Sequence, residues 1–147
     1  MARFITETFL PIRIHVQEQT ADFKHFAGRY GANWTPTILE LDSEGVEQHR
    51  VEGFLPANDL LAQLALGLGH AAFKRHDWTE AARHFAEVAE GYRDTDAAPE
   101  ATYWAGVSRY KASGDPKDLA DTAAAFARRF QDTPWAKKAS VWERPSG

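Results

Sequence analysis

Six histidines are the side chains of this sequence best suited to bind a metal ion or to carry a proton near neutral pH. They lie at positions 15, 25, 49, 70, 76 and 84. No two of them form the His-x-x-x-His pattern that places two imidazoles on one helix face, and no Asp or Glu stands at a convincing ligand spacing. The histidines are therefore expected at the surface or at helix ends, and no metal site is predicted.

Carboxylates are the next candidates, as a pair for acid–base chemistry: Glu7, Glu18, Glu40 and Asp42. Nothing in their spacing distinguishes them from ordinary solvated charges. Residues 67–69, Gly-Leu-Gly, lack the Lys-Ser/Thr that follows a phosphate-binding loop. The sequence has no cysteine, which excludes disulfides, thiolate nucleophiles and cysteine-ligated metals. No catalytic residue and no cofactor are therefore assigned.

The composition is that of a folded, slightly acidic protein. With 147 residues, 44% of them hydrophobic and 12% aromatic, the chain can build a core as one domain or as two small ones. A net charge of −4 argues against a nucleic-acid partner held by electrostatic attraction. No stretch approaches the roughly eighteen apolar residues of a membrane span, so no membrane partner is predicted. The sequence shows no secretory signal, which makes the cytoplasm the predicted location.

The first 55 residues mix helix and strand patterns. Ile12, Ile14 and Val16 alternate with polar residues, as in a half-buried strand, while Gly31 suits a helix end and Gly45 a hairpin turn. The predicted elements are, in order, a helix end over 2–9, a strand over 12–16, a helix over 20–30, and strands over 37–42 and 46–51. This order predicts an α/β unit.

From about residue 55 onward the pattern is helical throughout, and Pro56 suits a first helical turn. The predicted helices cover 55–69, 70–76, 79–92, 98–112, 116–130 and 134–142. The sequence from Tyr92 to Thr95 is echoed from Phe130 to Thr133, at a spacing of about 38 residues. A period of this length, built from helix pairs, is typical of helical repeat proteins.

The first half of the chain resembles the later part of a thioredoxin-like domain. The resemblance rests on Arg29-Tyr30-Gly31, on Thr35-Pro36-Thr37 and on a strand–turn–strand unit that ends at Gly53, in that family's order and spacing. It implies that the bond before Pro36 is cis, and that the peptide groups of Thr35 pair with a bound extended chain. It also implies that residues 56–68 form the last helix of the domain.

The second half resembles tetratricopeptide repeats, whose small and aromatic positions are matched by Gly69, Trp78, Ala81 and Phe85. A second copy around Leu119 fits less well. The two resemblances predict a thioredoxin-like domain over 1–68 and helical repeats over 69–143. The predicted fold class is an α/β part with an incomplete thioredoxin-like sheet, followed by an all-α array.

One segment of the thioredoxin-like pattern is missing from this sequence. In that family a central strand and a Cys-x-x-Cys motif precede the part that matches, and residues 2–9 resemble the end of the helix that carries the motif. The missing strand would lie between residues 12–16 and 37–42. These two segments must then pair directly, accept a strand from another chain, or leave backbone groups unpaired. A dimer is one arrangement that satisfies this requirement.

Four residues are the candidate peptide-binding residues: Trp34, Thr35, Pro36 and Tyr103. The resemblance places Thr35 and Pro36 at a peptide-docking edge, although the commoner role of an X-Pro turn is to fix a loop. Trp34 is either the wall of a groove or part of the core. Tyr103 is the one aromatic of the helical half expected outside the core, because its neighbour Trp104 lies elsewhere on the helix.

Three functions stay open from the sequence. The leading one is a redox-inactive interaction or scaffold protein, which binds another polypeptide through its helices or associates with itself through the open sheet. The second is that Met1 is an internal start and that the natural product is a longer thioredoxin-family thiol–disulfide oxidoreductase. The third is a redox-inactive partner that competes with a true thioredoxin for client proteins.

Overall fold

Helices and one antiparallel hairpin make up the structure, a computed structural model that describes residues 1–143. The helices are α1 Ala2–Thr8, α2 Thr20–Tyr30, α3 Ala57–Lys74, α4 Trp78–Gly91, α5 Ala97–Ser113, α6 Lys117–Arg128 and α7 Pro134–Ala139, with a 3-10 turn at Ser140–Trp142. The strands are β1 Thr37–Leu41 and β2 Glu47–Glu52. Within residues 1–143, no helix is both long and apolar enough to cross a membrane.

The strand predicted over residues 12–16 is wrong. Residues 9–15 have no regular secondary structure, and residues 16–18 form a turn. The sheet contains β1 and β2 alone among the described residues. An alternating sequence becomes a strand only where a neighbouring strand accepts its backbone hydrogen bonds, and none lies beside this segment.

The other helices and strands predicted for the first half are present as α1, α2, β1 and β2. Helix α2 ends at Gly31, which is left-handed with φ of 61°. At the hairpin turn, Gly45 has φ of 75°, and the Asp42 carboxylate accepts hydrogen bonds from the N–H groups of Glu44 and Val46 at 2.9 Å each. The bond between Thr35 and Pro36 is cis, as the resemblance implies.

The two helices predicted over 55–69 and 70–76 are one continuous helix, α3. No proline and no capping residue interrupts the helical spacing at Gly69 and His70, so the helix has no reason to end there. The predicted domain boundary between residues 68 and 69 therefore lies inside α3. The division into domains 1–68 and 69–143 stays a prediction.

The hydrophobic core lies among α3, α4 and α5 rather than under the sheet. Helix α4 packs against both of its neighbours, and alanines make up most of the buried positions between them. The largest fully buried side chains there are Phe85, Leu66 and Val88. Before residue 57, Val51 is the only buried hydrophobic residue of the described chain. The helices therefore bury most of the hydrophobic side chains, and the hairpin packs against α3.

The two copies of the sequence repeat make the same loop contacts. The Thr95 hydroxyl donates to the Tyr92 carbonyl at 2.8 Å, and the Thr133 hydroxyl donates to the Phe130 carbonyl at 2.7 Å. Each threonine thus closes the turn that follows a helix, α4 in one case and α6 in the other. The resemblance to tetratricopeptide repeats itself stays a prediction.

Gly69 sets how closely α3 approaches α4. A Cβ at this position would lie 2.6 Å from the ring of Phe85, which is fully buried. We expect Gly69→Ala to lower the free energy of unfolding by about 1–3 kcal/mol, because the ring must move within a packed core. Urea denaturation measures this loss.

Gly91, in α4, offers a matched control for this substitution. Nothing lies within 4 Å of its Cβ position, so Gly91→Ala should leave the protein as stable or raise its free energy of unfolding by up to about 1 kcal/mol. Equal free energies of unfolding for the two variants would contradict the close contact at Gly69.

Candidate protein-binding site

The loop before β1 places three of the predicted binding residues at the surface. Trp34 is 67% exposed, and Thr35 and Pro36 are also exposed. The Thr37 hydroxyl donates to the Trp34 carbonyl at 2.6 Å, and the Gly53 N–H donates to the Pro36 carbonyl at 2.8 Å. These two bonds hold the loop at the beginning of the hairpin, with the Trp34 side chain outside the core.

Helix α2 is tied to the hairpin at its far end. The Tyr30 hydroxyl donates to the Gly45 carbonyl at 2.8 Å, and the Arg50 guanidinium donates to the Tyr30 carbonyl. Arg50 also holds the Glu47 carboxylate with two hydrogen bonds of 2.8 and 2.7 Å, which lowers the pKa of Glu47. The loop at 31–36 is therefore fixed at both ends, by α2 and by β1.

One edge of β1 has no strand beside it in the described part of the chain. Ile38 and Glu40 lie opposite Val51 and His49 of β2. The Pro36–Gly53 hydrogen bond belongs to the same ladder, so these are the β1 positions whose backbone groups face β2. The intervening residues, Thr37, Leu39 and Leu41, direct their N–H and C=O groups away from β2. We call these groups the free edge of β1.

Exposed apolar side chains are concentrated on the same half of the molecule. Phe54 is 82% exposed, at the opposite end of the hairpin from the turn. The large hydrophobic residues that are exposed before residue 57 are Met1, Leu10, Ile12, Val16, Phe26, Trp34, Leu41, Val46 and Phe54, whereas in the rest of the described chain only Val141 is exposed. Apolar surface of this kind is typical of sites that contact another macromolecule.

The face of the hairpin that packs against α3 carries a buried carboxylate, Glu40. Its side chain lies over Gly67 of α3, where a Cβ would collide with it. The residue is 8% exposed, and Oε1 has no hydrogen-bond partner. Burial raises the pKa of Glu40 to about 8, so the carboxyl is mostly protonated at neutral pH.

A chain of polar side chains runs from β2 across α3 to α5. His49 Nε2–H donates to Gln63 Oε1 at 2.9 Å, and the imidazole of His49 stacks on that of His70 at 5.6 Å between centroids. His70 Nε2–H in turn donates to Glu100 at 2.9 Å. Burial lowers the pKa of His49, which favours its neutral imidazole. These contacts join the hairpin to the helices.

Two sequence predictions are corrected at this junction. Glu40 is not a solvated charge, and His49 and His70 are packed between elements rather than at the surface or at helix ends. A usable signal exists for each: Glu40 shares a strand face with Ile38, and Gln63 and His70 are seven residues apart on one helix face. Within residues 1–143, no group of three or more His, Asp and Glu could hold a metal ion.

Tyr103 lies on α5, away from the loop at 34–36. Its ring stacks on Trp142 at 4.8 Å and contacts Trp135 at 5.3 Å, and both of these belong to the C-terminal elements. Tyr103 therefore joins the end of the chain to α5, and the structure does not bring it together with the other three candidate residues. A peptide-binding role for all four residues stays a prediction.

Glu40 should make the stability of the monomer depend on pH. Its pKa in the folded chain, about 8, lies above the ordinary value of 4.5, so the folded state holds the proton more tightly than the unfolded state. The protonated form of Glu40 therefore stabilises the folded state. This contribution to the free energy of unfolding is complete below pH 4.5 and is lost as pH rises to about 8. The loss amounts to a few kcal/mol, since one pKa unit corresponds to about 1.4 kcal/mol.

We expect Glu40→Gln to remove most of this fall in the free energy of unfolding between pH 5 and pH 8, because the amide does not ionise. Urea denaturation at a concentration where the chain is monomeric measures it. Glu44→Gln, an exposed carboxylate on the same hairpin, is the control and should keep the wild-type slope. A wild-type slope in Glu40→Gln would contradict the burial of this carboxyl.

The comparison with known families concerns the part of the chain that contains this site. Residues 1–67, which include α1, α2, the hairpin and the first part of α3, match the family model of a thioredoxin-like domain. No curated protein and no solved structure matches the chain. The predicted resemblance of the first half to the thioredoxin-like family is therefore confirmed, in a sequence that contains no cysteine.

Proposed function

We propose that this chain acts in protein–protein interaction, and that an extended polypeptide segment binds to the free edge of β1. The observation that supports the proposal is the edge itself, where Thr37, Leu39 and Leu41 have outward backbone groups and no neighbouring strand in the described residues. Addition of a strand to an exposed sheet edge is an established mode of peptide recognition. The interaction needs no thiol, so it is open to a chain without cysteine.

The chemistry of the edge defines the segment that fits it. An added strand would place alternate side chains beside Leu39 and Leu41, on the face away from α3, and these should be apolar. Each backbone hydrogen bond to the edge contributes about 0.5–1.5 kcal/mol net. The exposed ring of Trp34 lies just before β1 and extends the apolar contact beyond the strand.

A second candidate function is supported by the family match of residues 1–67. It is thiol–disulfide exchange by a longer protein whose cysteines lie outside the present sequence. The coding DNA upstream of the first codon tests it: an in-frame strand followed by Trp-Cys-x-x-Cys would support this candidate, and the absence of such a segment would contradict it. The cytoplasmic location stays a prediction in either case.

A proline at Leu41 tests the binding edge directly. Its N–H belongs to the free edge, so Leu41→Pro removes one outward donor without removing a bond of the β1–β2 ladder. A displayed library of random twelve-residue peptides is first selected against the full chain, and the best binder is synthesised. We expect Leu41→Pro to weaken the binding of this peptide at least about tenfold, by loss of a hydrogen bond and by steric block of the edge.

Leu41→Ala is the matched control, because it truncates the same side chain and keeps the backbone N–H. Its affinity for the peptide should fall less than that of Leu41→Pro, and circular dichroism should show both variants folded. Isothermal titration calorimetry gives both affinities. Failure to select any binder, or equal affinities for the two variants, would contradict binding at this edge.

A further inference from the structure

The segment before α2 has the sequence of a strand but no strand partner. Ile12 and Ile14 alternate with Arg13 and His15, yet residues 9–15 have no regular structure in the described chain. Ile12 is 78% exposed and Leu10 is 90% exposed. The His15 carbonyl accepts from the Gln19 N–H at 2.8 Å at the turn before α2, whereas Ile12 and Leu10 lie outside any sheet or helix. A largely exposed segment with alternating apolar side chains is able to pair with an open sheet edge.

Glu40 supplies an independent indication of what pairs with β1. Its side chain is more than nine-tenths buried and Oε1 has no partner, although buried carboxyl groups are almost always hydrogen-bonded. On β1, Glu40 lies between Leu39 and Leu41, both of which belong to the free edge. A strand added at that edge would therefore place one side chain directly opposite Glu40, on the face toward α3.

From these two observations we infer that residues 12–15 of a second copy of this chain form the strand that binds the free edge of β1. The inference rests on the proposed function and names the partner for it. The pairing is antiparallel, with Arg13 of the second copy opposite Glu40. It is reciprocal, since each copy donates its own segment and receives that of the other, as a twofold dimer requires.

The register follows from matching opposite charges at residue 40 and apolar side chains at residues 39 and 41. With Arg13 opposite Glu40, Ile12 lies opposite Leu41 and Ile14 lies opposite Leu39, on the face away from α3. His15 then lies opposite Ile38 on the α3 side. The guanidinium gives the carboxylate of Glu40 a charged donor, which favours the ionised form that burial alone disfavours.

The titratable groups that face this junction come from three elements. His49 of β2 lies opposite Glu40 in the ladder, while His70 of α3 and Glu100 of α5 continue the polar chain. Lys74 of α3 donates to the carbonyls of residues 47 and 48, which directly precede His49 in β2. Arg13 would be the one cation directly opposite the Glu40 carboxyl across the new strand pair.

The first test is the mass of the full chain in solution together with a disulfide trap. Because the sequence has no cysteine, engineered ones are the only thiols present. His15→Cys combined with Ile38→Cys places two thiols at a non-hydrogen-bonded pair of the proposed register, where Cβ atoms lie about 4.5–5.5 Å apart. We expect light scattering to give a dimer, and mild oxidation to give a covalent dimer on a non-reducing gel.

His15→Cys combined with Leu39→Cys is the matched control, since residue 39 faces the other side of the strand. It should give little covalent dimer under the same oxidation. A monomer mass up to about 0.5 mM wild-type chain would overturn the inference, because effective self-association needs a dissociation constant below that. A disulfide formed within one chain, or equal trapping in the control, would overturn it as well.

The second test measures the coupling between Arg13 and Glu40. Arg13→Glu places like charges opposite each other and should raise the dissociation constant of the dimer at least about tenfold. In a Glu40→Gln background the same substitution should have a much smaller effect, since the neutral amide does not repel the new carboxylate. An equal effect of Arg13→Glu in both backgrounds would overturn the proposed register.

These results separate the inference from the proposed function. If the wild-type chain stays monomeric while selected peptides bind and Leu41→Pro weakens them, the edge binds a strand but the second copy does not supply it. If neither peptides nor a second copy bind, both proposals fail together. A dimer that Leu41→Pro disrupts, with trapping between residues 15 and 38, supports both.

Discussion

Backbone hydrogen bonding is the constraint on which the open edge of the sheet and its proposed partner both depend. Each strand residue carries an N–H and a C=O that need partners, and the residues of a two-stranded sheet can satisfy only half of these groups within the sheet. In β1 the satisfied half faces β2, and the other half belongs to Thr37, Leu39 and Leu41. Water can satisfy these groups, but a strand from another polypeptide satisfies them while covering the apolar side chains nearby.

Packing among the helices keeps the molecule stable although one edge of the sheet is unpaired. Most of the buried apolar residues lie among α3, α4 and α5, so the stability of the molecule does not depend on the sheet alone. The hairpin is held to α3 by Val51, by the close approach of Glu40 to Gly67, and by the hydrogen bond from His49 to Gln63. The buried Glu40 reduces the stability of this contact at neutral and higher pH, because ionisation of a carboxyl group shielded from water is unfavourable.

The sequence predicts the local elements well because their signals are local. Gly31 and Gly45 mark the end of α2 and the hairpin turn, and Asp77 caps α4 by accepting from the Glu80 N–H at 3.2 Å. The prediction of a strand over 12–16 rests on alternation alone, and alternation does not reveal whether a neighbouring strand exists. The predicted and the observed fold therefore differ most in that segment.

The junction residues were missed for a similar reason. The alternation that places Glu40 on one strand face with Ile38 does not show whether a helix covers that face, so it does not by itself make Glu40 buried while Glu44 is exposed. The distinction arises only when α3 is placed over one face of β1, with Gly67 opposite residue 40. The loop at 34–36 is a predicted binding site because its residue types match a family pattern, whereas the free edge beside it is a property of backbone pairing and leaves no residue signature.

Hydrogen exchange of individual amides, followed by NMR on dilute ¹⁵N-labelled chain, tests the central claim most directly. The amides of Thr37, Leu39 and Leu41 should exchange quickly in the monomer, while those of Ile38 and Glu40, which face β2, should exchange slowly. When a strand is bound, all five should exchange slowly. Slow exchange of the Thr37, Leu39 and Leu41 amides in the dilute monomer, equal to that of their neighbours, would show that the edge is already paired and would contradict the account.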